Sequence, residues 1–221
     1  MEQFTTMNKT LLLTRPDHDN LTNYLFFWCQ PIIEMARKKH FKIHDLSKKK
    51  ANKRELEGHL EARKIGLVFL NGHGNAETIA GYEDEPLIQI GKNESVLTGT
   101  ILYIRSCGVM KKLGDSIISK GARTCIGYSR KFWICTSKDH ATRPIEDPYA
   151  KLFLEPSNLV VSTLIKGKTA QEALQRSQQA MRKNIRRMLS TAGTEGERSM
   201  AFALGVNIKG QTLEGDPLAR L

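Results

Sequence analysis

The sequence predicts an α/β protein with a mainly parallel central sheet and helices on both faces of that sheet. Short apolar runs alternate with segments of helical spacing from residue 10 to residue 127, which is typical of βαβ units. The chain has 221 residues, of which 40% are hydrophobic and 26% charged, so it is long enough to bury a sizeable core. We expect one domain covering residues 1–221.

The predicted strands are short apolar or alternating runs. The first run, Thr10–Arg15, is followed by Pro16, Asp17 and Asp19, which are typical turn and helix-cap residues. The segment MAFALGVNIKGQTLEGDPLARL is expected to form a final strand or hairpin. The other predicted strands, in chain order, lie in HFKIHDL, IGLVFL, PLIQI, ILYIRSCG, ARTCIGYS and FWICTS.

Apolar residues at helical spacing predict the helices. A first helix begins near Leu21 and reaches Ala36, and Pro31 is expected to kink or split it. A late helix begins with a capping box formed by Thr169 and Glu172. The segment TAGTEGERS, which follows the late helix, is expected to be a flexible loop. The remaining predicted helical segments are 51–63, 109–120, 149–154 and 159–165.

Much of the net charge of +11 lies in two segments. Residues 37–64 are rich in lysine and arginine, and Arg182, Lys183, Arg186 and Arg187 lie on the late helix. Neither segment is interleaved with aromatic residues, and no zinc-finger or RNP pattern is present, which disfavours a nucleic-acid surface. We expect a solvated basic face and no nucleic-acid partner, while binding of an acidic partner remains open.

The sequence lacks membrane-spanning and secretory patterns. No apolar run approaches the ~20 residues that a bilayer-spanning helix needs, and the longest candidate is YLFFW. The N-terminal segment MEQFTTMNKT lacks the charged, apolar and small-residue layout of a secretory signal. The sequence therefore predicts a cytoplasmic protein that does not span a membrane.

The cysteines and histidines show no disulfide or metal-binding pattern. The cysteines Cys29, Cys107, Cys125 and Cys135 have no CxxC spacing and fit a reducing compartment. No metal site and no cofactor are expected, because the histidines other than His73 lack ligand spacing with acids or cysteines. These histidines are His18, His40, His44, His59 and His140.

One histidine and one cysteine stand out because each follows a predicted buried strand. His73 follows one strand in VFLNGHG, and Cys107 follows the other in LYIRSCG. If the strands are parallel neighbours, both side chains emerge at the same edge of the sheet, where strands lie about 5 Å apart. An imidazole can take the proton of a thiol or stabilise the thiolate, so the pair predicts nucleophilic catalysis. Cys29, Cys125 and Cys135 lie in apolar segments and are expected to be structural.

Gly72 and Gly74 flank the histidine. They allow positive φ and are expected to leave space for a peptide substrate against the backbone. Backbone amides around His73 and Cys107, including those at Gly72 and Gly74, are candidate donors to an oxyanion. Taken singly, a histidine at a strand end is more often a structural residue, and a cysteine there is more often a small buried hydrophobe. The paired arrangement favours the catalytic interpretation.

The motifs VFLNGHG and LYIRSCG, taken in order, are similar to the His-Gly and small-residue-Cys pairs of the caspase-like cysteine peptidases. That clan includes caspases, metacaspases, gingipains, separases and bacterial CHAT-type proteases. The region PYAKLFLEPSNLVVSTLIKGKTAQEALQRSQQAM is similar to the helices after the catalytic cysteine of CHAT-type members, and LEGDPLARL resembles a GDP-x-LR ending. The resemblance runs in order from Leu11 to Leu221 and implies a caspase-like three-layer sandwich.

That resemblance implies peptide-bond hydrolysis through an acyl-enzyme. His73 would be the general base or imidazolium partner, Cys107 the nucleophile, and the Gly74 and Cys107 amides the oxyanion donors. The clan demands no third catalytic residue, and none is expected. The interval from histidine to cysteine is shorter than in caspases, which favours a bacterial or CHAT-type member. No activation linker is apparent, which disfavours activation by self-cleavage.

The residue two before the nucleophile lines the primary specificity pocket in this clan, and here it is Arg105. A guanidinium there repels basic side chains and pairs with a carboxylate, so cleavage after an acidic residue is expected. Arg15 occupies a place resembling a caspase pocket arginine and supports the same expectation. The alternative is that Arg105 pairs with an acid of YEDE. Asp84 and Glu85 of that segment are expected to lie in a solvated loop rather than an acidic pocket.

The leading functional prediction is a cysteine endopeptidase that cuts a protein substrate. The resemblance to bacterial members suggests a defence or cell-death module, with a regulatory protein partner and a substrate such as a gasdermin-like pore former. Two alternatives remain open. One is a catalytically silent caspase-like scaffold whose basic surface docks an acidic partner, and the other is a nucleic-acid-binding α/β protein.

Overall fold

The structure is a computed structural model that describes residues 8–221. The expectation that the N-terminus carries no secretory signal therefore rests largely on residues outside this range. The strands, in chain order, are β1 Thr10–Arg15, β2 Lys42–Ser47, β3 Leu67–Asn71, β4 Thr78–Ala80, β5 Pro86–Gln89, β6 Ile101–Arg105, β7 Thr124–Tyr128 and β8 Gln211–Gly215.

The helices begin at recognisable caps. Asp19 caps the first helix and forms a capping box with Thr22, and Thr169 forms the predicted capping box with Glu172. In chain order the α-helices are α1 Asn20–Trp28, α2 Gln30–Lys38, α3 Lys53–Ala62, α4 Leu113–Ser119, α5 Pro148–Ile165, α6 Ala170–Met188 and α7 Glu195–Gly210.

The central sheet has six strands in the order β2-β1-β3-β6-β7-β8. The first five run parallel to their neighbours, and the edge strand β8 pairs antiparallel with β7. Strands β4 and β5 form a separate antiparallel pair. Parallel neighbours require crossover connections, and helices supply most of these. β3 and β6 lie side by side, so their carboxyl ends meet at one edge of the sheet.

The two faces of the sheet pack against different helices. Along β3, Leu67 and Phe69 point into a cluster with residues of α1, α2, α5 and α6. Val68 and Leu70 point into a second cluster with residues of α3 and α4. This alternation is the period-two pattern of a strand that is buried on both faces. The predicted fold class, a mainly parallel sheet between helical layers, is confirmed.

Several predicted elements are confirmed in detail. β1 has the predicted bounds, and the first predicted helix is split into α1 and α2 at Cys29, because Pro31 lies in the first turn of α2. No helix within residues 8–221 combines the length and apolar character needed to cross a bilayer.

The predicted strand FWICTS is wrong. Residues 131–137 have no regular secondary structure. The Trp133 N–H donates to Asn207 Oδ1 at 2.8 Å, and the Asn207 side chain donates to the Trp133 carbonyl at 2.8 Å. A side chain of α7 therefore satisfies backbone groups that a neighbouring strand would otherwise satisfy.

The helices after residue 147 also differ from expectation. Two pieces at 149–154 and 159–165 form the single helix α5, which runs through Pro156. Most of its length is buried against the sheet and α6, and this packing offsets the cost of a proline inside a helix. α7 replaces the expected loop and the first half of the expected strand. Thr194 and Glu197 form its capping box, and Glu197 pairs with Arg187 of α6.

The predicted helix at 109–120 is interrupted near its start. A 3-10 turn at Val109–Lys111 precedes α4, and Gly121 follows with a left-handed φ of 98°. A β-carbon at Gly121 would lie 3.1 Å from Thr98, so this position suits glycine for both conformation and space.

Candidate active site

The register between β3 and β6 puts His73 and Cys107 at equivalent places. Asn71 and Arg105 are the last paired residues of the two strands, and each predicted catalytic residue follows two positions later. Because the strands are parallel neighbours, the histidine and the cysteine leave the sheet at the same edge. His73 and Cys107 are both partly exposed, whereas the strand residues before them are buried.

Asp19 contacts the imidazole of His73. The sequence predicted Asp19 only as a helix cap. His73 Nε2 lies 2.5 Å from Asp19 Oδ2. The other oxygen of the carboxylate accepts the Thr22 N–H at 2.7 Å and the Thr22 hydroxyl at 2.8 Å. The helix cap thus fixes Asp19, and Asp19 in turn orients His73 through one ring nitrogen.

The carboxylate of Asp19 is held in its charged form. Burial alone would raise its pKa, but hydrogen bonds from the Thr22 N–H, the His73 ring and the Thr22 hydroxyl, together with the charge of His73, outweigh burial. The pKa of Asp19 is lowered from 3.8 to about 2. The charged carboxylate fixes the imidazole through one ring nitrogen and leaves the other nitrogen for proton transfer.

Backbone groups surround the thiol of Cys107. The Phe132 N–H donates to Cys107 Sγ at 3.4 Å, and the thiol lies 3.9 Å from the Phe132 carbonyl. The next residue, Gly108, has a left-handed φ of 69° and donates its N–H to the Arg130 carbonyl at 3.0 Å. The irregular segment after β7 therefore holds the loop that carries the thiol, and its N–H group is suited to stabilise a thiolate.

The two predicted catalytic side chains are not hydrogen bonded to each other in the part of the chain that the structure describes. His73 bonds through Nε2 to Asp19, which leaves Nδ1 as the second ring nitrogen, and Cys107 bonds to Phe132. Catalytic hydrogen bonds are often long before substrate binds, so this geometry does not exclude proton transfer between the two groups.

The glycines around His73 accommodate other parts of the protein. Gly72 has a φ of 148°, and a β-carbon there would lie 2.1 Å from the Ala80 carbonyl oxygen. A β-carbon at Gly74 would lie 2.2 Å from Ser106 Oγ. β4 and Ser106 thus exclude a side chain at these two positions, and the space for a substrate against the glycine backbone stays a prediction.

Two N–H groups at the site remain available as donors. Within residues 8–221, the N–H groups of Gly74 and Cys107 donate to no protein acceptor. Ser106 Oγ is buried beside Gly74 and also lacks a partner there. Unpaired donors at a strand edge are the kind of group that can stabilise an oxyanion.

Arg105 lies in the core, which corrects the expectation that it faces substrate. Its side chain has no exposed surface, and its Nε donates to Asn71 Oδ1 at 2.8 Å. Its Nη1 donates to Asn158 Oδ1 at 3.0 Å, and the guanidinium lies over the Phe69 ring at 5.0 Å. The alternative pairing with the YEDE segment is also not found. Strand periodicity explains the position, because Arg105 shares a face with the buried Tyr103.

Arg15 also has an internal partner. Its guanidinium forms two hydrogen bonds with Asp45 of β2, one of them from Nε to Oδ1 at 2.9 Å, and it lies over the Phe26 ring at 4.3 Å. The side chain is only 9% exposed. The predicted role of Arg15 in binding a substrate carboxylate therefore finds no support in this arrangement.

The other three cysteines have environments that keep the thiol protonated. Burial raises the pKa of Cys29, Cys125 and Cys135. Cys29 and Cys125 are fully buried, and Cys135 is partly buried beside a cluster of α5, α6 and α7 residues. A protonated thiol is a weak nucleophile, so these positions agree with the structural role expected for them.

A small uncharged cleft adjoins the site. It lies between the start of α1, next to Asp19, and the segment after Phe132 that carries the contact to Cys107. Burial raises the pKa of Tyr24 to about 12, and the hydrogen bond to Asp147 acts in the same direction, so its phenol is neutral. The cleft has a volume of about 130 Å³ and is lined by Asn20, Leu21, Tyr24, Ile134 and Thr136.

A larger and more open cleft lies away from the site, on α5 and α6. Its volume is about 530 Å³, and three of its lining side chains are basic. None of the predicted catalytic or substrate-binding residues lines it. The lining residues are Leu159, Arg176, Gln179, Ala180, Lys183 and Arg186.

The fold also brings His18 and Asp84 to the imidazole of His73. One nitrogen of each histidine and one carboxylate oxygen all lie within 4.8 Å of one another. His18 precedes the cap of α1, and Asp84 lies between the paired strands β4 and β5. Local spacing in the sequence contains no signal for this group, because its members come from three separate loops.

Comparisons with known proteins support the fold. Family models and curated proteins give no match to the sequence. The complex of the pro- and mature domains of RgpB from Porphyromonas gingivalis is similar with a TM-score of 0.60 and 11% identity, over 97% of this chain and 49% of that chain. The Arg-specific cysteine proteinase gingipain R is similar with a TM-score of 0.60 and 13% identity, over 96% and 47% of the two chains.

The chain therefore spans about half the length of these two gingipain chains. At such low identity the likeness shows the fold alone, and it agrees with the caspase-like three-layer arrangement that the sequence motifs predicted.

Proposed function

We propose that this chain is a cysteine endopeptidase in which Cys107 is the nucleophile and His73 transfers protons. The observation that carries the proposal is the placement of a thiol and a carboxylate-bound imidazole at the ends of two adjacent parallel strands. The fold shared with cysteine proteinases supports it. The other three thiols lie in environments that disfavour the thiolate.

In the proposed mechanism Asp19 accepts a hydrogen bond from His73 Nε2, and Nδ1 takes the proton of the Cys107 thiol. The thiolate attacks the peptide carbonyl, and the N–H groups of Gly74 and Cys107 stabilise the oxyanion. The imidazolium then donates its proton to the leaving amine, which leaves an acyl-enzyme. Water, deprotonated by His73, hydrolyses the thioester and restores the thiol.

Labelling with a thiol-reactive peptide tests the proposal. Cys107 is expected to react faster than Cys135, which is the other partly exposed thiol, because a backbone N–H donates to its sulfur whereas burial raises the pKa of Cys135. Cys107→Ala is expected to abolish both labelling and peptide cleavage, whereas Cys135→Ala serves as the matched control that retains both. Equal reaction rates at the two cysteines, or cleavage by Cys107→Ala protein, would contradict the proposal.

We propose further that the uncharged cleft beside Asp19 receives a small neutral side chain of the substrate. Its volume of about 130 Å³ and its neutral lining suit such a group. A peptide library is expected to show preference for small uncharged residues at the cleavage site. A strong preference for aspartate or glutamate would instead favour the original prediction that Arg105 or Arg15 contacts substrate. Action on a gasdermin-like effector in a defence or cell-death module, and control by a partner protein, stay predictions from resemblance.

A second function, docking of an acidic partner, is favoured by the basic cleft on α6. Arg176, Lys183 and Arg186 line it, so an acidic segment would find complementary charge there. Replacing all three with glutamate is expected to abolish binding of an acidic peptide and to leave peptide cleavage at its original rate. Binding of that peptide to the triple variant as tightly as to the wild type would exclude this surface.

A further inference from the structure

We propose that Zn²⁺ binds between His18, His73 and Asp84, and that the bound ion inhibits the peptidase by occupying the imidazole that transfers protons. The inhibitory part rests on the proposed function, whereas the binding site itself does not. Two imidazoles, one carboxylate and an open position form a ligand set that suits zinc. The three groups come from the loops after β1 and β3 and from the segment between β4 and β5.

The distances between the three groups are compatible with a metal site whose side chains move closer together when the ion binds. Their candidate ligand atoms lie within 4.8 Å of one another. Tetrahedral zinc with bonds of about 2.0–2.2 Å requires ligand atoms about 3.4 Å apart, so the longest of these separations must shorten by up to about 1.4 Å. His18 Nε2 and Asp84 Oδ1 are already 3.5 Å apart, so the shortening concerns the distances to His73. The side chains of Asp84 and His73 are 63% and 35% exposed, which leaves both of them room to adjust.

His18 has a polar ring that no protein group satisfies. Its side chain is only 11% exposed, and neither ring nitrogen has a hydrogen-bond partner within the described residues. Nε2 lies 3.5 Å from Asp84 Oδ1 but without hydrogen-bond geometry, and the ring packs edgewise against Tyr82 and His73. Leaving buried polar nitrogens unpaired is costly, and coordination of an ion through one nitrogen would remove part of that cost.

His73 already has a carboxylate hydrogen bonded to one ring nitrogen, which is an arrangement that metal-binding histidines commonly use. Its Nε2 contacts Asp19, which fixes the ring and leaves Nδ1 as the nitrogen available to an ion. An ion on Nδ1 occupies the lone pair that would otherwise accept the thiol proton of Cys107. Binding of zinc and proton transfer at His73 are therefore mutually exclusive.

The sequence-based expectation of no metal site considered only spacing along the chain. It did not include a ligand set assembled from three distant loops. The structure supplies that set around a residue of the proposed catalytic pair.

Zinc binding is tested first in a Cys107→Ala background, so that the thiol is not a ligand. Titration of Zn²⁺ against a chromophoric chelator is expected to give one equivalent bound. His18→Ala and Asp84→Asn are expected to weaken binding at least about 10-fold, because each removes a ligand. His140→Ala and Glu83→Gln are matched controls outside the set, and they are expected to bind as the parent does. Equal affinity in the parent and in His18→Ala, or no stoichiometric binding, would overturn the site.

Inhibition is tested separately with the intact thiol. Micromolar Zn²⁺ is expected to inhibit peptide cleavage, EDTA to restore it, and Mg²⁺ to have no effect, because Mg²⁺ prefers oxygen ligands. Relative to its own metal-free rate, Asp84→Asn is expected to need at least about 10-fold more Zn²⁺ for half-inhibition.

The two arms separate the possible failures. Zinc binding to a protein without metal-free peptidase activity refutes the proposed function and retains the site. Peptidase activity without zinc binding refutes the site and retains the proposed function. Stoichiometric zinc binding without inhibition overturns the inhibitory part of the proposal.

Discussion

Two pairs of residues at the ends of β3 and β6 differ in how they are held. The inner pair, Asn71 and Arg105, is buried, and its two side chains are hydrogen bonded to each other at 2.8 Å. The outer pair, His73 and Cys107, lies two residues further along each strand and is partly exposed. Its members are bonded to Asp19 and to the Phe132 backbone rather than to each other.

The difference shows that, at this edge of the sheet, the residues that hold the strands together are separate from the residues that have reactive side chains. The inner pair belongs to a buried polar layer, in which Asn71 also binds Thr14 of β1 and Arg105 also binds Asn158 of α5. That layer joins four elements beneath the site, namely β1, β3, β6 and α5. Asp19 and the Phe132 backbone hold the outer pair, whose two side chains are not bonded to each other and can contact a bound molecule.

The largest expected effect is loss of activity when the outer pair is broken. His73→Ala is expected to lower kcat/KM at least about 1,000-fold, which is about 4 kcal/mol, because in the proposed mechanism His73 accepts the proton of the thiol. The free energy of unfolding should change by less than about 1 kcal/mol, since the side chain is partly exposed. His140→Ala is the control with unchanged kcat/KM. A His73→Ala protein with near wild-type kcat/KM would remove the distinction between the two pairs.

Breaking the inner pair is expected to reduce stability. Arg105→Met should lower the free energy of unfolding by about 2–3 kcal/mol, because it leaves the Asn71 and Asn158 oxygens buried without donors. Urea denaturation measures the change, and Arg198→Met on the exposed surface of α7 is the control. If Arg105→Met instead unfolds like the wild type but changes residue preference at the cleavage site, the guanidinium contacts substrate after all.

Removing the Asp19 carboxylate that holds His73 is expected to have a smaller effect on activity. Asp19→Asn should reduce kcat/KM roughly 10–100-fold, which is about 1.4–2.7 kcal/mol, because His73 loses its charged partner. Asparagine caps a helix as well as aspartate does, so the α1 cap should survive and unfolding should change little. Asp17→Asn, in the same loop, is the control. An unchanged kcat/KM in Asp19→Asn would mean that Asp19 serves only as the helix cap and that its contact with His73 at 2.5 Å has no part in catalysis.

The smallest expected effect concerns stability in acid. The pKa of Asp19 is about 2 in the folded protein, below its value of 3.8 in a free chain. Its contribution to stability is therefore present above about pH 4 and is lost as the pH falls towards 2. The loss of stability over that interval should be slightly smaller in Asp19→Asn, and only slightly, because the side chain is 38% exposed. An identical pH dependence in both proteins would contradict the lowered pKa.

Local chemistry allowed part of the site to be predicted. The buried runs before His73 and Cys107 were recognisable as strands, and a parallel sheet brings the ends of such strands to one edge. The position of Arg105 was also accessible in principle, because strand periodicity places it on the face of Tyr103. The motif position instead predicts a guanidinium that faces substrate, whereas the Arg105 side chain is fully buried.

The sequence indicated only one of the two roles of Asp19. Its position before α1 marked it as a cap, but nothing in the local pattern indicated that its second oxygen faces His73. The segment 131–137 similarly has the composition of a strand. It stays irregular because Asn207, far along the chain, binds the Trp133 backbone.

The sequence by itself determined the alternation of strands and helices, the caps at Thr169 and Asp19, the break near Pro31 and the two strand ends that carry His73 and Cys107. These features depend on periodicity and on residues within one helical turn. Only the tertiary structure decided that Asp19 holds the imidazole, that Arg105 is buried, and that His18 and Asp84 converge on His73. Each of these depends on which loops the sheet order brings together. Spacing along the chain does not determine the distance between such loops in the fold.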